Sequence, residues 1–256
     1  MRRVLALLIA SMAVLALGVV APQTASALSS CPTPGATQVG GHWVPGDAET
    51  GGVEAPIQVR RDGQSCIGSS NYAGALAWIG IQGLYMQLVQ IGIIRYYDTL
   101  MDTTRICFFW EILPAAPDPY SCGTSVPAND VFEYFRILRE NGHYSLYDCG
   151  TSDPTYSACD GPFATEPYFA SDLAEIEGEN DADSCAVHLM GSMPPNGPDD
   201  PDNFGSSTNP VKIQANAGGT WGPKTLTADD VPACTYDSTL EDSSENVAVW
   251  DTANAS

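Results

Sequence analysis

Basic residues are scarce in this sequence: ten Lys and Arg stand against 31 Asp and Glu in 256 residues, a net charge of −21. A chain this acidic is repelled by phosphate backbones and anionic lipid, so nucleic acid and acidic membrane surfaces are excluded as partners. Histidine is scarcer still, with only His42, His143 and His188, and no C-x-x-C occurs. Zinc sites built from Cys and His pairs are therefore not expected. A G-x-S-x-G elbow, a phosphate loop and a dinucleotide fingerprint are all missing, which removes the usual signatures of Ser-based hydrolases, NTPases and Rossmann enzymes. No metal or cofactor is expected. Beyond Val20 no apolar run is long enough to span a bilayer.

What is present begins with an export signal. MRRVLALLIASMAVLALGVVAPQTASA has two arginines, an apolar run from Val4 to Val20 and the small-residue end Ala25-Ser26-Ala27. This pattern predicts cleavage after Ala27 rather than retention as a membrane anchor. Removing 27 residues and two arginines leaves 229 residues with eight basic and 31 acidic side chains, a net charge of −23. All eight cysteines (31, 66, 107, 122, 149, 159, 185 and 234) remain. An even number in an exported chain reads as up to four disulfides, with Cys149–Cys159, across a short turn-rich segment, as the local pair. LSSC at 28–31 offers an alternative, a lipid anchor on Cys31, which would leave an odd number of thiols. The expected location is extracellular.

The mature chain reads as β-structure. Gly and Pro total 43 in the full sequence and cut it into short runs rich in Ile, Val, Tyr and Phe. EAPIQVR (54–60), ALAWIGIQ (75–82), LVQIGIIRYY (88–97) and RICFFWEIL (105–113) are the clearest, with AVHLM (186–190), PVKIQA (210–215) and NVAVW (246–250) further on. VFEYFRILR (131–139) and HYSLYDC (143–149) bracket Glu140-Asn141-Gly142, a strong hairpin signal, although VFEYFRILRE also fits a short helix. These runs predict an all-β fold, an antiparallel β-sandwich of the jelly-roll kind. The expected division is a signal at 1–27, a loose lead-in at 28–52, a sandwich at 53–235 and an acidic end at 236–256, partly disordered apart from Val247–Trp250. Residues 193–209 read as a long solvated loop, with Asp199, Asp200 and Asp202 lacking the order of a calcium loop.

Carboxylates and amides are what remain for chemistry. In LAEIEGEN (173–180) an extended chain places Glu175, Glu177 and Glu179 on one face, about 6.7 Å apart. In LVQIGI, Val89, Ile91 and Ile93 share one face while Gln90, Gly92 and Ile94 share the other. A glutamine among apolar neighbours must pair internally or face a wet groove.

Trp78-x-Gly80-Ile81-x-Gly83 followed by Leu88-x-Gln90-x-Gly92 is similar to the strand pair carrying the catalytic glutamine of the eqolisins, secreted fungal glutamic peptidases with a concanavalin-like sandwich. RICFFW (105–110), AEIEGENDADSCAVHLMGS (174–192) and GVEAPIQV (52–59) resemble, in the same order, segments of the related neprosin family. The resemblance implies Gln90 and Glu179 as the catalytic pair, with Trp78, Trp110 and Glu177 as substrate-binding residues of a groove. Glu111 would line the groove or a sheet edge, and either tryptophan could instead be a core aromatic. Met193-Pro194-Pro195 and Ile91 depart from the family patterns.

The implied activity is hydrolysis of peptide bonds in acid by a monomer acting on protein or peptide. A carboxylate can serve water as general base, and an amide N–H can stabilise the oxyanion, without metal. Neighbouring like charges and a partly desolvated groove would raise the working carboxyl's pKa. The alternatives are a non-catalytic module binding peptide or glycan on the same sandwich, and a cell-envelope protein acting through its acidic surface.

Overall fold

Antiparallel pairing gathers the strands of this chain into two sheets. In a computed structural model the described residues are 37–46, 49–59, 74–83, 87–98, 100–113, 115, 117–127, 131–151, 155–180, 202–205, 208–230, 236–241 and 245–251. The expected signal segment, the expected strand at 186–190 and Cys31, Cys66, Cys185 and Cys234 lie outside them. The strands are β1 (Thr37–Trp43), β2 (Gly52–Gln58), β3 (Gly74–Gly83), β4 (Leu88–Asp98), β5 (Thr103–Ile112), β6 (Asp118–Cys122), β7 (Phe132–Glu140) and β8 (His143–Asp148). They continue with β9 (Asp160–Pro167), β10 (Ser171–Asn180), β11 (Asp202–Phe204), β12 (Lys212–Gln214), β13 (Trp221–Gly222), β14 (Thr227–Asp230), β15 (Tyr236–Glu241) and β16 (Asn246–Asp251). No α-helix occurs among the described residues, and all the strand pairings there are antiparallel.

One sheet runs β14-β1-β10-β3-β4-β5-β6, the other β15-β16-β11-β2-β7-β8-β9, with β12 and β13 added beside β2. The protein is an antiparallel β-sandwich. Its inner core joins Ile79, Ile91, Phe108 and Ile176 of the first sheet to Val53, Ile57, Phe135, Ile137, Leu146 and Val247 of the second. Each fully buried aliphatic or aromatic side chain contributes about 1.5–3 kcal/mol relative to exposure, so this layer dominates the stability.

VFEYFRILR is strand β7, not a helix. Its burial alternates with period two, and Asn141 and Gly142 turn at φ 50° and 80° into β8. Both positive φ values belong to a two-residue turn matching the twist of the flanking strands. Cys149–Cys159 is formed, and a second bridge joins Cys107 to Cys122.

Two expected boundaries differ. The lead-in contains β1, which lies between β10 and β14, and the acidic end forms the β15–β16 hairpin, which places Val247 in the core. Part of the expected loop at 193–209 is strand β11, paired with β16 and β2.

The inner face of β7 carries one acid, Glu133, at a position where alternation calls for an apolar residue. On the outer face of the same sheet, Glu54 is buried under Arg136, with contacts of 2.9 Å to Nε and 2.5 Å to Nη2, and Lys212 stands 3.6 Å away. Arg136 in turn packs near the rings of Tyr156 and Trp221, at 5.0 and 5.1 Å. Burial raises the Glu54 pKa, and the Arg136 charge opposes that rise.

Candidate active site

The outward face of the first sheet carries a line of polar residues at one level. His42 of β1 pairs with Glu175 of β10, Glu175 with Gly80 of β3, Gly80 with Gln90 of β4, and Gln90 with Glu111 of β5. Directly paired residues point to the same side of a sheet, so these side chains form a row across five strands. Glu175 and Gln90 are two strands apart, roughly 9.6 Å between backbones. The residue between them has no side chain.

The space above Gly80 is tightly defined. A β-carbon there would lie 2.6 and 3.0 Å from Cζ3 and Cε3 of Trp78 and 3.1 Å from Cδ1 of Leu88. The indole of Trp78 therefore leans along its own strand into the row and provides an aromatic floor between Gln90 and Glu175. Trp78 belongs to an apolar cluster with Leu76, Leu88, Ile94, Cys107 and Phe109 on this outer face.

Gln90 is held by its neighbour. Its Nε2 donates to Oε2 of Glu111, and both residues are buried. This contact turns the nitrogen end of the amide toward Glu111. One N–H of the NH2 group remains for another acceptor. The carbonyl Oε1 is buried without a hydrogen-bond partner. A buried amide oxygen left so costs about 1–3 kcal/mol, which a bound water or substrate donor would recover.

The register separates the three glutamates. Glu175 is level with Gln90, Glu177 with Trp78 and Gly92, and Glu179 with Leu76 and Ile94. Glu179 thus sits four residues, about 13 Å, further along β10 than the Gln90 row. Gln90 and Glu175 stand on one row, two strands apart, with the Trp78 ring between them and Glu177 one step along β10. Glu175 is 9% exposed and Glu177 1%, so neither belongs to a solvated face.

Trp110 lies on the other face, in line with Ile91, Ile79 and Ile176, and packs against the inter-sheet core. Pairing with Gln90 sets Glu111 in the row, and the alternation of β5 therefore turns Trp110 inward. Glu175 could have been singled out only by knowing that β10 pairs with β3 at this register. The one signal in the sequence was Gly80, the side-chain-free position that the row requires.

No family model matches the chain, and neither does any curated protein. Among solved structures, the chain is similar to SCP-B, described as a member of the eqolisin family of peptidases, in a complex with the tripeptide Ala-Ile-His. The identity is 14%, the match covers 84% of this chain and 98% of that one, and the TM-score is 0.46.

Proposed function

We propose that the chain is a secreted endopeptidase of the glutamic type, in which Gln90 and Glu175 act on one water and one peptide carbonyl. The observation that supports this most is the row itself: an amide oriented by Glu111 and a carboxylate at the same level, on either side of a glycine. The expected export signal and the two disulfides among the described residues fit an extracellular setting.

In this reading Glu175 takes a proton from the water, whose oxygen attacks the carbonyl carbon. The remaining Gln90 N–H donates to the oxyanion as it forms. Glu175 then passes its proton to the departing nitrogen, the C–N bond breaks, and a carboxylic acid and an amine are released. Glu111 keeps the amide from rotating and acts through Gln90 as a positioning residue. The expected working range is acid, where a carboxyl exchanges its proton readily.

A second reading draws on one observation. Gln90 is 3% and Glu111 7% exposed, so a ligand must displace whatever covers the row. A non-catalytic module binding peptide or glycan would tolerate that burial. Incubating denatured protein with the purified secreted chain at about pH 3 to 7 separates the two. New peptide termini are expected on the enzyme reading. Binding without cleavage by a well-folded chain would leave only the module.

A further inference from the structure

Away from the Gln90 row, a second group of acids lies between the sheets. Glu133 of β7 faces the core and is 3% exposed. Its carboxyl hydrogen-bonds to Asp148 at the end of β8, a diagonal neighbour because Asp148 is level with Phe135. Asp148 is already an acceptor twice over. Its Oδ2 receives the Tyr120 hydroxyl at 3.2 Å and its Oδ1 the Gly150 N–H at 2.9 Å. The proton shared between the two acids therefore comes from Glu133.

Tyr120 belongs to β6 of the first sheet, whereas Asp148 belongs to the second, so this hydrogen bond crosses the sandwich. Tyr120 stacks on Phe163 of β9 at 4.4 Å and packs on Phe108, which meets Phe135 edge-on. The Cys107–Cys122 bridge ties β6 to β5, so any loosening must separate the sheets rather than strip β6 from its own.

We propose that Glu133, Asp148 and Tyr120 form a proton-set latch that clamps the β6 end of one sheet to the other in acid and loosens it as the pH rises. Among the described residues, the groups that act on Glu133 include no cation. From β8 there is Asp148, from β6 the Tyr120 hydroxyl, and from β2 the paired residue is Ile57. On β9, Asp160 pairs with Asp148 and adds a further acid at the rim. Burial first, then the hydrogen bond and charge of Asp148, push Glu133 up to about 9. Burial and Asp148 also raise Tyr120, which keeps it a donor throughout.

The sign follows from the proton held in the fold. The folded value of Glu133 lies above its ordinary 4.5, so its contribution is full below that value and is lost as the pH rises toward about 9. Within the window one extra proton on the folded state changes the folding equilibrium by up to about tenfold per pH unit. Repulsion among the other acids also weakens the fold as pH rises, so the comparison with a variant isolates Glu133.

The test is equilibrium unfolding of the full secreted chain in urea, between about pH 4 and 9, for the parent and Glu133→Gln. Glutamine keeps the shape and an N–H for Asp148. The parent is expected to lose stability across the window more steeply than the variant, by up to about tenfold in the folding equilibrium per pH unit. Parallel pH dependences would overturn the latch. Should Glu133→Gln not fold, Tyr120→Phe provides a second readout through hydrogen exchange of the β6 amides. Fast exchange in acid, where the parent is protected, supports the latch, and protection equal to the parent's overturns it.

Discussion

Gln90→Met is expected to lower kcat for peptide hydrolysis by about 10²- to 10³-fold while leaving KM nearly unchanged, the loss typical of one oxyanion donor. Methionine has similar length and volume, so the side chain still fills its place beside Gly80 and Trp78. What disappears is the amide, and with it both N–H groups. Glu111 loses the Gln90 donor, and a lost buried hydrogen bond costs about 0.5–1.5 kcal/mol of stability. The variant is therefore expected to fold with a lowered unfolding midpoint. Steady-state kinetics beside a thermal melt check both. A rise in KM with kcat unchanged would mean that Gln90 holds substrate but does not stabilise the reacting carbonyl.

The largest stability effect is expected from Gly92→Ala. Gly92 lies opposite Trp78, and β3 passes so close that a β-carbon would fall on the carbonyl oxygen of Ala77 and 2.7 Å from Cα of Trp78. These are backbone atoms of a central strand and cannot swing aside as a side-chain tip can. Alanine in a strand gains about 0.5–1 kcal/mol over glycine from reduced chain entropy. Overpacking at a rigid site costs about 3 kcal/mol and wins. For a chain of this size each kcal/mol is worth about 2–4 °C, so a net loss of about 2–2.5 kcal/mol should lower the melting midpoint by roughly 4–10 °C. A midpoint equal to or above the parent's would show that the two strands are not packed this closely. Activity should fall as well, since Trp78 and Gln90 flank the strained contact.

Much of the fold was legible because strand alternation is a local property. LVQIGI divided its faces correctly, with Val89, Ile91 and Ile93 in the inter-sheet core and Gln90 and Ile94 outside it, and Asn141-Gly142 marked its hairpin. β1 was not legible. TQVGGHW has two glycines and little apolar content, and it is a strand because β10 and β14 flank it. Gly40 is needed there, since a β-carbon would fall on the Ile176 carbonyl, so the residue that argued against a strand permits the close approach. The acidic tail misled for a related reason. The β15–β16 hairpin carries Val247 into the core.

The proposed site was half legible. Periodicity on β4 exposed Gln90, and periodicity on β10 placed three glutamates on one face. Choosing among them required the β10–β3 register, a long-range pairing that alternation cannot supply. A shift of two residues in that register would carry Glu177 into the row, and a shift of four would carry Glu179. Trp110 could be placed only once β5 was anchored by the Gln90–Glu111 pairing.

That register also supplies the most direct test of the central claim, that Gln90 and Glu175 work together. Hydrolysis of denatured protein in acid would be compared for the parent, Glu175→Gln and Glu179→Gln, each confirmed as folded. The account predicts activity in the parent and in Glu179→Gln, and a loss of at least about 10²-fold, the usual contribution of a positioned acid–base group, in Glu175→Gln. Full activity in Glu175→Gln, with loss in Glu179→Gln, would contradict it.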